Sequence, residues 1–288
     1  MMRIEIRNLN GNQFVIRHWG DASKPKLLML HGFPEFGDAW EDLAPLVAHR
    51  FHCIAPDQRG YGGSFAPANV GAYTFSNLVA DMTALIGNVG PITIIGHDWG
   101  AAVAYGLAMF QPNLVKRLIV VNGVHPVPFQ RAVAAGGLQS KASQYINYLR
   151  SKKSDKGLEK DDFAKLIKLF SANMDMSWLA GKRLADYKTA WRTSGVTSMV
   201  NWYRASPLVI ASPGMPAPMP CLPIKKLFVK CPHLLIWGIN DVTLLPQSTD
   251  GLEEFAPNLT RSNIADADHW VLHQKPREVA DIILDWMS

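Results

Sequence analysis

Three side chains in the 288-residue chain could together form and then break an ester: Asp98, Asp241 and His269. Asp98 stands in "GHDWG" (96–100), where the apolar, β-branched run "ITIIG" meets an apolar helical run starting by Ala101. A residue on so tight a strand-to-helix turn projects from the edge of a parallel sheet, where ligands bind. Its amide and the next one lie near a helix N-terminus, whose partial positive charge favours anions. Gly96, Gly100 and the small residues Ala101 and Ala102 suit the crowding. This is the nucleophile elbow, usually Gly-x-Ser-x-Gly, with an aspartate at its centre. An aspartate before a helix is also an ordinary N-cap, so the rest of the chain has to decide.

Residue type decides the chemistry. Serine attacking a saturated carbon would leave an ether that the enzyme could not readily remove. A carboxylate attacking the same carbon leaves an ester, which water cleaves at the carboxyl carbon. Asp98 therefore points to substitution at sp³ carbon followed by ester hydrolysis. The second step needs a base, an orienting acid and oxyanion donors. His269, in "ADADHWVLHQKP", follows the last predicted strand, and Asp241, in "WGINDVTLLP", follows the strand before it. Nucleophile, acid and histidine then occur in the order this elbow architecture uses. The alternative acid position, after "RLIVV", holds Asn122, which carries no charge. Oxyanion donors are expected from the backbone N–H groups of Phe33, in "HGFP" (31–34), and Trp99. Phe33-Pro34 is a candidate cis bond.

The elements that must position these residues are legible. "MRIEIRNL" and "QFVIRHWG" flank Asn10-Gly11 as a hairpin. "KLLMLHG" (26–32), "FHCIAPD" (51–57), "ITIIG", "RLIVVNG" (117–123) and "HLLIWG" (233–238) are short apolar runs, as strands buried on both faces require. Helical patterns fall near 38–49, over "FSNLVADMTALIGNV", at 100–110 and in the closing "PREVADIILDWM". The alternation predicts an α/β fold, a mostly parallel sheet with helices on both faces. The rhythm stops between 126 and 206, where helical patterns run without convincing strands. A proline-rich passage follows at 207–223, expected to act as a stiff hinge. The expected division is a core of 1–125 and 224–288 and an inserted helical domain of 126–223.

Composition narrows the function classes. A 48% apolar and 18% charged chain is ordinary for a globular protein. The net charge of +5 is uneven: 129–206 holds 14 Lys/Arg against 6 Asp/Glu, a local +8 that leaves −3 for the remainder. The acids interleaved in "RSKKSDKGLEKDD" and the lack of stacking aromatics among them favour a solvated helix face, so no nucleic-acid partner is expected. Cys53, Cys221 and Cys231 have neither disulfide nor zinc-knuckle spacing. "MMRIEIRNLNGNQ" lacks an apolar signal core and no apolar run reaches the roughly 20 residues of a membrane span, so the cytoplasm is the expected compartment. "GYGGS" (60–64) lacks the Lys-Ser/Thr of a phosphate loop. No metal or organic cofactor is called for.

With "HGFPEFGDAW", "PDQRGYGGS", "GHDWGAAVA", "NWYR", "DVTLLP" and "DHWVLHQKP" in view, the chain resembles the α/β-hydrolase family over nearly its whole length. Within that family it resembles soluble epoxide hydrolases with an Asp nucleophile. The resemblance implies that 126–223 forms a lid over Asp98 carrying two tyrosines that donate to the epoxide oxygen as it opens. Tyr203, in "NWYRA", matches one closely; Tyr145, in "SQYINY", is the other, with Tyr148 as its alternative and a further substrate contact beside Trp99 and Phe33. Phenols with a pKa near 10 donate while staying protonated at neutral pH. The implied reaction turns a neutral epoxide and water into a vicinal diol. Haloalkane dehalogenases share the Asp-His-Asp set, but their common Asn is here Phe33. Dehalogenases of fluoroacetate type place arginines where this chain has Trp99 and Ala102. A catalytically silent ligand-binding protein of the same fold is the remaining alternative. One departure stands out: the position before the histidine is often glycine in this family and here is Asp268, an extra carboxylate expected to raise the histidine's pKa.

Overall fold

A computed structural model describes residues 2–288 of the chain. Among these residues, eight strands form one sheet in the order β1-β2-β4-β3-β5-β6-β7-β8. The strands are β1 (Arg3–Leu9), β2 (Asn12–Trp19), β3 (Lys26–Leu30), β4 (His52–Pro56), β5 (Ile92–His97), β6 (Val115–Val121), β7 (His233–Gly238) and β8 (Leu259–Ile264). β1 and β2 form an antiparallel hairpin across Asn10-Gly11, both at positive φ as a two-residue hairpin turn requires. β2 also meets β4 antiparallel, while β4, β3, β5, β6, β7 and β8 run parallel.

The central strands read as unbroken apolar runs because both of their faces are buried. Leu28, Leu30, Ile94, Leu118, Val120 and Leu235 point into one core. Their neighbours Leu27, Met29, Ile95, Ile119, Val121, Leu234 and Ile236 point into the other. Helices α2 (Phe75–Ile86) and α3 (Trp99–Phe110) contribute buried side chains to the first core. The short α1 (Ala44–Val47) and the final helix described below supply the second.

Six helices stand between β6 and β7: α4 (Pro126–Ala134), α5 (Leu138–Ala142), α6 (Tyr145–Arg150), α7 (Ser154–Ser171), α8 (Gly181–Ser194) and α9 (Val196–Ala205). After β8 come α10 (Val271–Gln274) and α11 (Pro276–Trp286). The inserted helices are tied to the loops at the strand C-termini. Trp191 Nε1 donates to the Pro34 carbonyl (2.6 Å) and Trp202 Nε1 to the Arg59 carbonyl (2.8 Å). Burying a tryptophan this way satisfies its polar edge while hiding a large apolar body.

Residues 207–223 differ from the expected hinge. The amides of Ala211, Gly214 and Ala217 donate to the carbonyls of Val133, Gly136 and Ala134, so the passage is strapped along α4. The charged helix α7 behaves as expected of a solvated face: among its exposed charges, Asp162 pairs with Lys188 and Arg192. Among the described residues no helix is long and apolar enough to cross a membrane.

Candidate active site

Asp98 sits between β5 and α3 with φ 50° and ψ −119°, a backbone conformation that non-glycine residues rarely adopt. Such strain persists only where packing enforces it, and the surroundings do so. A Cβ on Gly100 would stand 2.0 Å from the Leu30 carbonyl oxygen, so glycine is what lets α3 start this close to the end of β3. The Asp98 amide donates to the Asn122 carbonyl at the end of β6 (3.3 Å). The result aims the carboxylate out of the sheet edge, with about a tenth of the side chain open to a cavity.

The three residues read from the sequence converge. His269 Nε2 lies 3.7 Å from Asp98 Oδ2, and His269 Nδ1 donates to Asp241 Oδ2 (2.8 Å). Asp241 is buried, and its charge is met by four donors. Oδ1 accepts from the Thr243 and Leu244 amides (2.8 Å each), and Oδ2 from His269 and from Asn122 Nδ2 (2.8 Å). Asn122 thus occupies the alternative acid position as a brace: its own Oδ1 accepts from the Gly238 amide (2.8 Å). The Phe33 amide donates to Asp98 Oδ1 (2.8 Å), and the nearby Trp99 amide also favours the charged carboxylate. Phe33-Pro34 is cis.

Burial pushes the Asp98 carboxyl above its ordinary pKa, against the pull of His269 and His97. Burial also disfavours a charged His269, but Asp241 first, then Asp98 and Glu35, more than offset it and lift the imidazole to about 9. Asp268 is not among these causes. Its carboxylate faces away, accepting the amides of Asp175 and Trp270, so the expected effect of this residue on the histidine is not what the geometry provides.

Two chambers meet at Asp98. The larger, about 370 Å³, is lined by Trp99, Phe129, Ile146, Trp202 and the 220–223 stretch among others; the smaller, about 40 Å³, by Phe33, Phe170, Met174, Thr243, His269 and Trp270. Tyr145 and Tyr203 line both. Their rings stand 6.1 Å apart edge to face, and Tyr203 also packs edge-on against Trp99 (5.1 Å) and Phe33 (5.2 Å). Burial raises both phenols well above 10, so both keep their protons. Tyr148 is not brought here. It lies one helical turn further along α6, where Lys165 Nζ covers its ring (4.2 Å) and its hydroxyl packs beside Gly157, so the substrate contact expected of it is withdrawn. A larger hollow, about 630 Å³, opens at the opposite edge of the sheet among Lys24, Lys26, Arg50, Lys116 and Arg117, and contains none of these groups.

Glu35, one residue past the cis proline, was not singled out in the sequence. It is fully buried and lies 2.7 Å from His273 Nε2 and 3.1 Å from His97 Nδ1, and it accepts from the Tyr187 hydroxyl (3.1 Å). These partners hold its carboxyl well below the usual range in spite of burial. His97 Nε2 lies 2.8 Å from the His269 carbonyl, so the cluster braces the histidine's backbone from below. Only the proximity of Glu35 to "HGFP" hinted at it. Among the described residues no group of three or more potential ligands could hold a metal ion.

Residues 27–282 match the model of the alpha/beta hydrolase family. The chain is 31% identical to the AB hydrolase superfamily protein YfhM of Bacillus subtilis, over all of this chain and 98% of that protein. It is 26% identical to epoxide hydrolase A of Mycobacterium tuberculosis, covering 97% and 95%. Among solved structures, an epoxide hydrolase from hot-environment metagenomes superposes with a TM-score of 0.92 at 32% identity, covering 100% and 99%. The Bacillus megaterium epoxide hydrolase bound to an inhibitor gives 0.87 at 30%, covering 98% and 99%. The chain belongs to the alpha/beta hydrolase family and is similar along its whole length to epoxide hydrolases.

Proposed function

We propose that this hydrolase opens a neutral epoxide to a vicinal diol through an ester on Asp98. The observation that carries the reading is the meeting of Asp98, Tyr145 and Tyr203 around one cavity, with His269 on its far side. The Phe33 amide holds Oδ1, leaving Oδ2 to attack a ring carbon from the face opposite the departing oxygen. The C–O bond breaks and the alkoxide takes a proton from the tyrosine pair. Attack requires Asp98 as a carboxylate, and in this reading it rests beside a His269 that Asp241 and Asp98 hold protonated. Once Asp98 is an ester its negative charge is gone, and one of the causes of the raised His269 pKa goes with it. His269 can then release the proton that the tyrosines need and act as a base. Water, deprotonated by His269, adds to the ester carbon while the Phe33 and Trp99 amides hold the oxyanion. Collapse expels the diol and restores the ion pair, so protons balance over the cycle.

The lining suggests the substrate. Apart from Asp98 the larger chamber carries no charged side chain, which suits an uncharged ligand. The smaller chamber has room for about a water molecule. An epoxide with one bulky apolar substituent therefore fits better than one bulky on both carbons. Aryl epoxides such as styrene oxide should be turned over, whereas a haloalkane and fluoroacetate should not. His269→Gln should accumulate a covalent adduct, read as a mass gain on the Asp98 peptide. Turnover of the haloalkane in preference to the epoxide would favour dehalogenation. Tight binding with no turnover of any would favour a ligand-binding role.

A further inference from the structure

We propose that Asp268 is a positioning residue for the hydrolytic step, holding the 171–178 loop of the inserted helices as the wall of the small chamber beside His269. This rests on the ester mechanism above. Asp268 is buried and adjacent to His269, yet its carboxylate serves the backbone of another segment. Oδ2 accepts the Asp175 amide (2.8 Å) and Oδ1 the Trp270 amide (2.9 Å). The Asp268 amide donates to Gln274 Oε1 (2.9 Å), and Gln274 Nε2 donates to the Asp175 carbonyl (3.1 Å). Both backbone polar groups of Asp175 are therefore gripped by side chains of the one short segment that carries the histidine.

What this clasp holds is a wall of the chamber. Met174, the residue before Asp175, lines the chamber, its Sδ 4.0 Å from Thr243 Oγ1. Phe170 lines it too, and its carbonyl accepts from Trp270 Nε1 (3.2 Å). Met174 is held on its other side by its own amide, which donates to the Ser171 carbonyl (3.1 Å), so a grip at Asp175 pins it from both directions. Charge-assisted bonds to two amides are short and directional, a grip that a carboxylate supplies and a residue without a side-chain acceptor would lose. The groups that form the ester, Asp98 and the two tyrosines, also line this chamber, but none of them bonds to the clasp: Phe33 holds Asp98 Oδ1, and the tyrosines pack on Trp99, Phe33 and each other. Water attack depends on a molecule confined between His269 Nε2 and the ester carbon, and about 1 Å of looseness there costs on the order of 100-fold. The clasp should accordingly act on ester breakdown and leave ester formation alone.

The test is single turnover of styrene oxide by the full chain, following the rise and decay of the covalent enzyme by rapid quench and intact mass. Asp268→Gly should slow the decay about tenfold and leave the rise within twofold. Gln274→Ala, which removes only one prong, should slow the decay about threefold and remains informative if the glycine variant does not fold. Equal slowing of rise and decay, or a lowered Tm with both rates unchanged, would overturn the proposal and leave an ordinary anchor. Diol formed by the unmodified protein with no covalent species would instead overturn the ester mechanism, and this proposal with it.

Discussion

Replacing Gly32 by alanine should disable the nucleophile without unfolding the protein. A Cβ at this position would lie 2.4 Å from both Cβ and Oδ1 of Asp98. Ordinary contact begins near 3.4 Å, so the carboxylate and the "HGFP" loop must part by about 1 Å. That shift breaks the 2.8 Å bond from the Phe33 amide to Oδ1 and moves Oδ2 off its line of attack. A misplacement of about 1 Å costs on the order of 100-fold in rate, or about 2.7 kcal/mol of barrier. Substrate affinity should change little, because the larger chamber is lined mainly by other elements. Stopped-flow tryptophan fluorescence would follow ester formation, since Trp99 adjoins the reacting carboxylate. Gly137→Ala is the control: the residue has φ −88° and a Cβ there would meet nothing within 4 Å, so its rates should be unchanged. Ester formation in Gly32→Ala within threefold of the unmodified protein would refute the close-approach reasoning.

The two tyrosines should share the work of protonating the leaving oxygen. Tyr145→Phe and Tyr203→Phe should each slow ester formation at least about tenfold, and the pair together about 1,000-fold; a double variant that forms the ester normally would remove them from the mechanism. The charge on His269 should also appear in folding. Its folded pKa of about 9 exceeds the unfolded value near 6.5, so ionisation stabilises the fold fully below pH 6.5, and this contribution is lost as pH rises through about 9. Urea melts of the unmodified protein and His269→Gln should therefore differ most in mild acid, by on the order of 3 kcal/mol, and converge above pH 9; a gap that widens with pH would contradict the assignment.

What the sequence disclosed was whatever local pattern determines. Apolar runs gave the strands, Asn10-Gly11 the hairpin, and glycines at 96 and 100 the elbow, because each follows from the steric needs of neighbouring residues. The acid and base were readable because they follow consecutive strands of one sheet. What stayed hidden depends on which face of an element meets another. Tyr145 and Tyr148 are three residues apart on α6, and only the packing of α7 shows that the second is covered by Lys165. Asn122 looked like a missing acid and is a brace for the one in use. Glu35 gathers partners from β5, α8 and α10, a convergence that no window of sequence contains. Asp268 looked like a second charge on the histidine, but its side chain turns towards a loop 93 residues away. The 207–223 passage is proline-rich, as a hinge would be, yet its free amides find carbonyls on and just beyond α4.

Transfer of an oxygen atom from Asp98 to the product tests the covalent route most directly. A single turnover of styrene oxide with excess enzyme in heavy-oxygen water should release diol without label and leave the label in the Asp98 carboxylate. Heavy oxygen in the first diol formed would mean that water attacks the epoxide itself and that Asp98 is not the nucleophile.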